Sequence, residues 1–224
     1  MISLLLPTRK RPDNLKRFYE SAMEMADKPT SIEVIVYVDD DDDNYNFSLP
    51  RLRYIRGPRI VLSEMWNKCY ELAVGPIYGH MGDDIIFRNK GWDSQVKNAI
   101  NQYEDKIVFV HGDDLSNVHG PNFGTHGFIH KNWTDTVGYF VPPYFSSDYN
   151  DTWLNDIANA IGRRTYIPEL KTEHMHYIFG KSEKDITHEE RLARGENDKV
   201  DEIYSERWEE RMLDAEKLRR LLKW

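Results

Sequence analysis

The residues of this chain best suited to chemistry are the adjacent carboxylates Asp83 and Asp84, within the stretch Gly-His-Met-Gly-Asp-Asp-Ile-Ile-Phe at 79–87. Apolar residues flank the pair, which puts it where a buried strand runs out into a loop. Two carboxylates this close raise each other's pKa and disfavour ionisation. A cation relieves the repulsion, and Mg²⁺ and Mn²⁺ are hard ions that prefer carboxylate oxygens. Asp is also a common turn residue, so the pair taken alone suits a strand-terminating turn. Its company decides the matter: Thr8-Arg9 and Asp39-Asp40 are polar clusters that also follow short apolar runs.

Each cluster needs a strand to position it. Residues 2–6 are apolar but for Ser3 and end at Pro7, the pattern of a buried first strand. A loop follows, and Pro12 suits the first turn of a helix over 13–26, with Leu15, Phe18, Tyr19 and Ala22 at helical spacing. Residues 33–38 and 52–55 read as the next strands, and Ser63 as the N-cap of a helix reaching 73. The strand at 77–81 carries the acidic pair, and a helix over 92–103 and a strand at 107–111 come after it. This alternation predicts an α/β fold with a mostly parallel central sheet and helices on both faces. Ligands bind beyond the carboxyl ends of such strands. All three clusters fall there.

The second half is less regular. Residues 127–130 read as a strand, 152–161 as a helix stopped by Gly162, and 165–167 as another strand before Glu173-His-Met-His176. From 183 to 224 the chain is charged and helix-favouring, a C-terminal helical extension outside a 1–182 catalytic domain, with Gly195 separating two helices. Its apolar stripe from Val200 to Leu222 must cover something, either the 1–182 domain or a second copy in a homodimer.

A length of 224 residues suits one α/β domain with an appendage. The single cysteine, Cys69, excludes intramolecular disulfides and a thiolate zinc cage and fits a reducing cytoplasm. Apolar runs such as 4–7 and 107–110 are too short to span a bilayer, and the start of the chain lacks the pattern of a secretory signal. A net charge of −8 argues against wholesale binding of a phosphate backbone. His111, His119, His126 and His130 match no His-x₃-His helical spacing and argue against zinc.

With those elements in place, the chain resembles the GT-A class of nucleotide-sugar glycosyltransferases, of the broad family 2 type, over roughly residues 2–180. Leu-Leu-Leu-Pro7-Thr8-Arg9 is similar to that family's first strand and nucleotide loop, and the strand ending at Asp39-Asp40 to its base-contacting strand. Asn67 lies in a helix like the one that precedes the family's metal strand, and Gly82-Asp83-Asp84 resembles an abbreviated D-x-D motif. The resemblance implies that Asp84 is the direct metal ligand and that Asp83 touches ribose or metal-bound water. It implies a C-terminal metal-binding histidine at His174, with His176 as its competitor. Asn150-Asp151 before Gly162 and Tyr166-Ile-Pro-Glu169 match a later pattern, with Asn where the family has Glu. Counting back from Gly162, the family's catalytic base falls on Asp151, or on Asp148 after a slip of one turn.

The expected activity is a metal-dependent, inverting transfer of a sugar from a nucleoside diphosphate to an acceptor hydroxyl. Asp39 accepting from a pyrimidine N–H favours a UDP donor, and the O/N ligand set suits Mn²⁺ or Mg²⁺. The acceptor is open: a glycan, a small molecule or a modified nucleic acid. Two alternatives stand beside this reading. One is a nucleotidyltransferase of similar fold, although the loop at 7–11 lacks the Gly-rich character of those enzymes. The other is an inactive sugar-nucleotide-binding module, suggested by Gly82 and Asn150.

Overall fold

A computed structural model of the chain describes residues 1–223; Trp224, the last residue of the expected extension, lies outside the described residues. The first apolar run forms β1 (Ile2–Thr8), buried except at Pro7, and the second forms β2 (Ile32–Asp39), buried throughout. With β3 (Leu52–Gly57) and β4 (Ile77–His80) they make the parallel half of the sheet. β1 runs past the expected end at 6 because β2 pairs with it through Thr8, whereas β4 pairs only with Ile2 to Leu5. Pro7 therefore has a partner strand on one side only, and its missing N–H breaks no ladder.

The remaining strands are β5 (Ile85–Phe87), β6 (Phe109–Asp113), β7 (Gly127–His130) and β8 (Arg164–His174). The sheet has eight strands in the order β3-β2-β1-β4-β7-β6-β8-β5. Beyond β4 it is mixed: β7 is antiparallel to β4 and β6, β6 is parallel to β8, and β5 is antiparallel to β8. β5 escapes sequence patterning because three residues show no period.

Helices cover both faces. α1 (Pro12–Glu24) and α3 (Trp92–Asn101) pack on one side, where Phe18, Phe87, Trp92 and Val96 share a core. α2 (Leu62–Glu71), α4 (Lys131–Val137) and α5 (Asn150–Ala160) pack on the other, around Trp66, Trp133 and Trp153. Ser63 is not the cap of α2; Val61 is, and Ser63 is buried with its hydroxyl donating to Asn150 Oδ1 at 2.7 Å. It ties α2 to the start of α5.

The C-terminal segment forms α6 (Ile186–Asn197), α7 (Val200–Glu206) and α8 (Trp208–Arg219). Gly195 lies inside α6, and the break comes at Lys199, which takes φ 54°. α8 packs on α4 and α5. Val200, Ala215 and the fully buried Leu218 join the core beneath them, and Arg211 lies over Trp153 at 5.1 Å while pairing with Asp156 at 3.0 Å. Burying each large aliphatic contributes about 1.5–3 kcal/mol, against a total stability of about 5–15 kcal/mol for an ordinary domain. Truncation after Lys181 should therefore give an insoluble chain, or one without a cooperative melt by circular dichroism. A soluble monomer of the shortened length by light scattering, melting cooperatively, would show that these helices are dispensable.

Candidate active site

β1 has β2 on one side and β4 on the other, so the strand order reverses between β1 and β4. A crevice opens at such a reversal, outside the carboxyl ends of the strands. Thr8 and Asp39 end β1 and β2, and Asp83-Asp84 follows β4. Two adjoining cavities meet there, with Trp66, Gly82, Asp84 and Arg191 in their common wall. Trp66 is pinned by its indole N–H, which donates to the carbonyls of Leu5 at 3.1 Å and Met81 at 3.2 Å.

The first cavity takes in Pro7, Thr8, Arg9, Asp39 and Asp83. Both Asp83 oxygens are engaged: Thr8 Oγ1 donates to one at 2.6 Å, and Arg11 reaches the other at 3.3 Å. Burial pushes the Asp83 pKa up, Arg11 pulls it back, and the Asp84 charge adds to the rise. Arg9 donates to Asp39 Oδ2 at 2.8 Å and to Asp41 at 2.5 Å, while Asp39 Oδ1 is buried without a hydrogen-bond partner. Burial raises the Asp39 pKa, against Arg9 and Arg59. Asp40 is exposed and lines neither cavity.

Asp84 turns the other way. The antiparallel register of β5 and β8 sets Ile85 opposite His174, which brings Asp84 Oδ2 to 3.2 Å from His174 Nε2. The backbone holds this approach, since Met175 N donates to Asp84 O at 2.8 Å. Asp84, His174 and His176 each offer a donor atom, all within 4.8 Å of one another. An O···N separation near 3 Å is the edge of a coordination shell whose bonds are about 2.1 Å, and His174 Nδ1 is buried without a partner. These residues fit a divalent cation. Burial works against charge on both Asp84 and His174, but their mutual attraction outweighs it, lowering the Asp84 pKa and raising that of His174. A metal would replace the shared proton. Burial lowers the His176 pKa to about 4, so the ring is neutral, and its Nδ1 accepts from Ile178 N at 3.3 Å.

The second cavity continues past Asp84 to Asp148, Asn150 and Asp151. Asp151 lies in the first turn of α5 without serving as its cap; Tyr149 takes that place at φ 74°. Burial lifts the Asp151 pKa to about 6, with Asp148 adding and the Thr152 N–H, donating at 2.8 Å, opposing. Asp148 is half exposed and paired with Arg191. Asn150 is buried against Ser63. Asn67 stands apart from both cavities: its Oδ1 accepts from Phe140 N at 3.0 Å and Val141 N at 3.1 Å, and its Nδ2 donates to Val141 O at 2.8 Å. Every polar atom of its side chain is used to hold that loop.

Several residues of the site were not among those expected from the sequence. Thr187, Arg191 and Arg194 of α6 line the first cavity, and Thr187, His188 and Arg191 the second. α6 is tied across the opening: Asp185 bonds Arg11 at 2.7 Å, and Glu190 bonds Arg9 at 3.0 Å and Arg59 at 2.7 Å. A signal existed, because 187, 191 and 194 recur at one-turn spacing as a polar stripe on α6. Arg59 also lines the first cavity. His80 and His126 are also buried in the second cavity, the latter among the histidines whose spacing argued against zinc.

No protein-family model and no curated protein sequence matches the chain. Among solved structures it is similar to the mannosyltransferase PcManGT of Pyrobaculum calidifontis in complex with GDP-Man and Mn²⁺, at 13% identity and TM-score 0.61 over 77% of this chain and 56% of that one. It is also similar to S. aureus TarS in complex with UDP, at 13% identity and TM-score 0.58 over 76% of this chain and 59% of that one. The complex of TarS with UDP-GlcNAc gives 12% identity and TM-score 0.57 over 82% and 61%. The chain thus spans about three fifths of the length of these neighbours. The likeness is one of fold, and the fold is GT-A-like, that of nucleotide-sugar glycosyltransferases, as the motifs implied. Among the described residues, no helix is long and apolar enough to cross a membrane.

Proposed function

We propose that this chain, built on a GT-A-like fold, transfers a sugar from a nucleoside diphosphate to an acceptor hydroxyl with the help of a divalent cation. The observation that carries the reading is the meeting of two cavities at Asp84, one running to Asp39 and the other to Asp151. The first would take the nucleotide and the second the acceptor. Asp84, His174 and His176 would hold Mn²⁺ or Mg²⁺. A cation bound there neutralises charge on the departing diphosphate as a Lewis acid. Arg11, Arg191 and Arg194 line the same space, and guanidinium groups match phosphate bidentately.

Asp39 supports uridine over guanosine. Arg9 occupies one of its oxygens and leaves the other free. One acceptor suits the single ring N–H of uracil, whereas the adjacent N–H and NH₂ of guanine call for both oxygens. Thr8 and Arg11 fix Asp83 beside this space, where it would border the ribose. Asp151 would accept the acceptor proton as a general base. The acceptor oxygen then attacks the anomeric carbon from the face opposite the diphosphate, the carbon–phosphate-oxygen bond breaks with its electron pair leaving on the diphosphate, and the configuration inverts.

Calorimetric titration with UDP, with and without Mn²⁺, tests the reading. UDP should bind, more tightly with the metal, and Arg191→Ala should weaken it roughly ten- to a hundredfold, the worth of one charge-assisted hydrogen bond. Folded protein that binds no UDP under either condition would remove the basis of the proposal. Release of pyrophosphate from a nucleoside triphosphate would point to nucleotidyl transfer. Binding without any UDP release from a UDP-sugar over hours would mark a non-catalytic module.

A further inference from the structure

We propose that the first turns of α6 are an autoinhibitory strap, whose carboxylates Asp185 and Glu190 occupy guanidinium groups beside the first cavity until a diphosphate displaces them. The inference rests on the donor reading above and concerns the regulation of that same site. Asp185 accepts from Arg11 Nε and Nη2 through its two oxygens, each at 2.7 Å. Glu190 accepts from Arg9 Nε at 3.0 Å, Lys10 Nζ at 2.8 Å and Arg59 Nη1 at 2.7 Å. The side chains of Arg9 and Arg11 are 12% and 11% exposed, so these pairs are largely withdrawn from solvent on the arginine side.

The charges show what the pairing does. Arg9, Arg11, Arg59, Arg191 and Arg194 line the first cavity against three aspartates, an excess of two positive charges. Asp185 and Glu190 stand outside that lining and cancel the excess. Guanidinium grips carboxylate and phosphate with the same bidentate geometry, so the strap and a diphosphate are rivals for the same groups. A ligand that binds only the released form has its affinity reduced by the fraction of protein in that form.

The two ends of α6 are held differently. Toward its C-terminus, Arg194 donates to Ile60 O at 2.8 Å, and the helix lies so close to Ser147 that a Cβ on Gly195 would be 2.4 Å from its Oγ. That end keeps Arg191 and Arg194 at the cavity. The first turns bury only His188 and leave Ile186 51% exposed. Besides the ion pairs, Thr187 Oγ1 donates to Arg9 O at 3.0 Å, and the His188 ring meets that of Tyr177. A segment with so little buried apolar surface opens at low cost. Residues 181–185, which lead into it, have no regular structure and follow Gly180 at φ 67°, a conformation that glycine adopts without strain.

The test titrates inorganic pyrophosphate, UDP and uridine, all without metal, into the full chain and into Asp185→Asn/Glu190→Gln. Asn caps a helix as well as Asp does, so α6 should remain formed. Pyrophosphate and UDP should bind roughly five- to tenfold tighter to the variant, the worth of a few partly exposed ion pairs, and uridine should gain nothing. Unchanged or weaker pyrophosphate binding in a variant with native circular dichroism would overturn the strap, as would an equal gain for uridine. The parent gives a second measurement that no folding defect can spoil: pyrophosphate should speed tryptic cleavage after Lys184, and protection there would overturn the strap. A gain for pyrophosphate while UDP binds neither protein would uphold the strap and remove the donor reading.

Discussion

Asp84→Asn should abolish metal-stimulated turnover, measured as UDP release from a UDP-sugar with and without Mn²⁺. The substitution keeps the shape of the side chain and removes its charge. The other donors are imidazoles, so the carboxylate is the only anionic protein group among the proposed ligands. Lewis-acid stabilisation of a leaving group is worth several kcal/mol, and each 1.36 kcal/mol is tenfold in rate, so the loss should be roughly a thousandfold. The fold should tolerate the change, because an amide can still hydrogen-bond His174 across the present 3.2 Å. Retained turnover with the same Mn²⁺ dependence would mean that the ion sits elsewhere.

Asp151→Asn should leave UDP binding intact and lower transfer by roughly 10²- to 10⁴-fold, the usual worth of a general base. The pH profile gives a second check. Burial lifts the Asp151 pKa to about 6. A base must be deprotonated to accept a proton, so activity should rise as pH increases through about 6 and fall away below it. The Asn variant should lose that limb. If Asp148→Asn gives this behaviour and Asp151→Asn does not, the base is the residue one turn earlier. Asp148 is half exposed and committed to Arg191, which is why Asp151 is preferred.

The sequence by itself determined the nucleotide half of the fold and the edge on which its site lies. The apolar runs of β1 and β2 encode buried strands locally, and parallel connections oblige their carboxyl ends to share one edge. Thr8, Asp39 and Asp84 are therefore legible as neighbours. The mixed half was less legible, because a three-residue β5 and a bulged β8 carry little periodicity. What brings His174 to Asp84 is a strand register between segments ninety residues apart; the family resemblance anticipated a histidine there, but no local pattern could. The polar stripe of α6 could be read from its spacing, yet its place over the cavities depends on ion pairs from Asp185 and Glu190 to Arg11 and Arg9, more than 170 residues away along the chain. Asn67 shows the reverse case, a polar residue whose helix was correctly foreseen but whose side chain is taken up by the 140–141 backbone. The place of His126 in the second cavity was decided by tertiary structure alone, because β7, which it precedes, pairs with β4 from far along the chain, and no local pattern encodes that pairing.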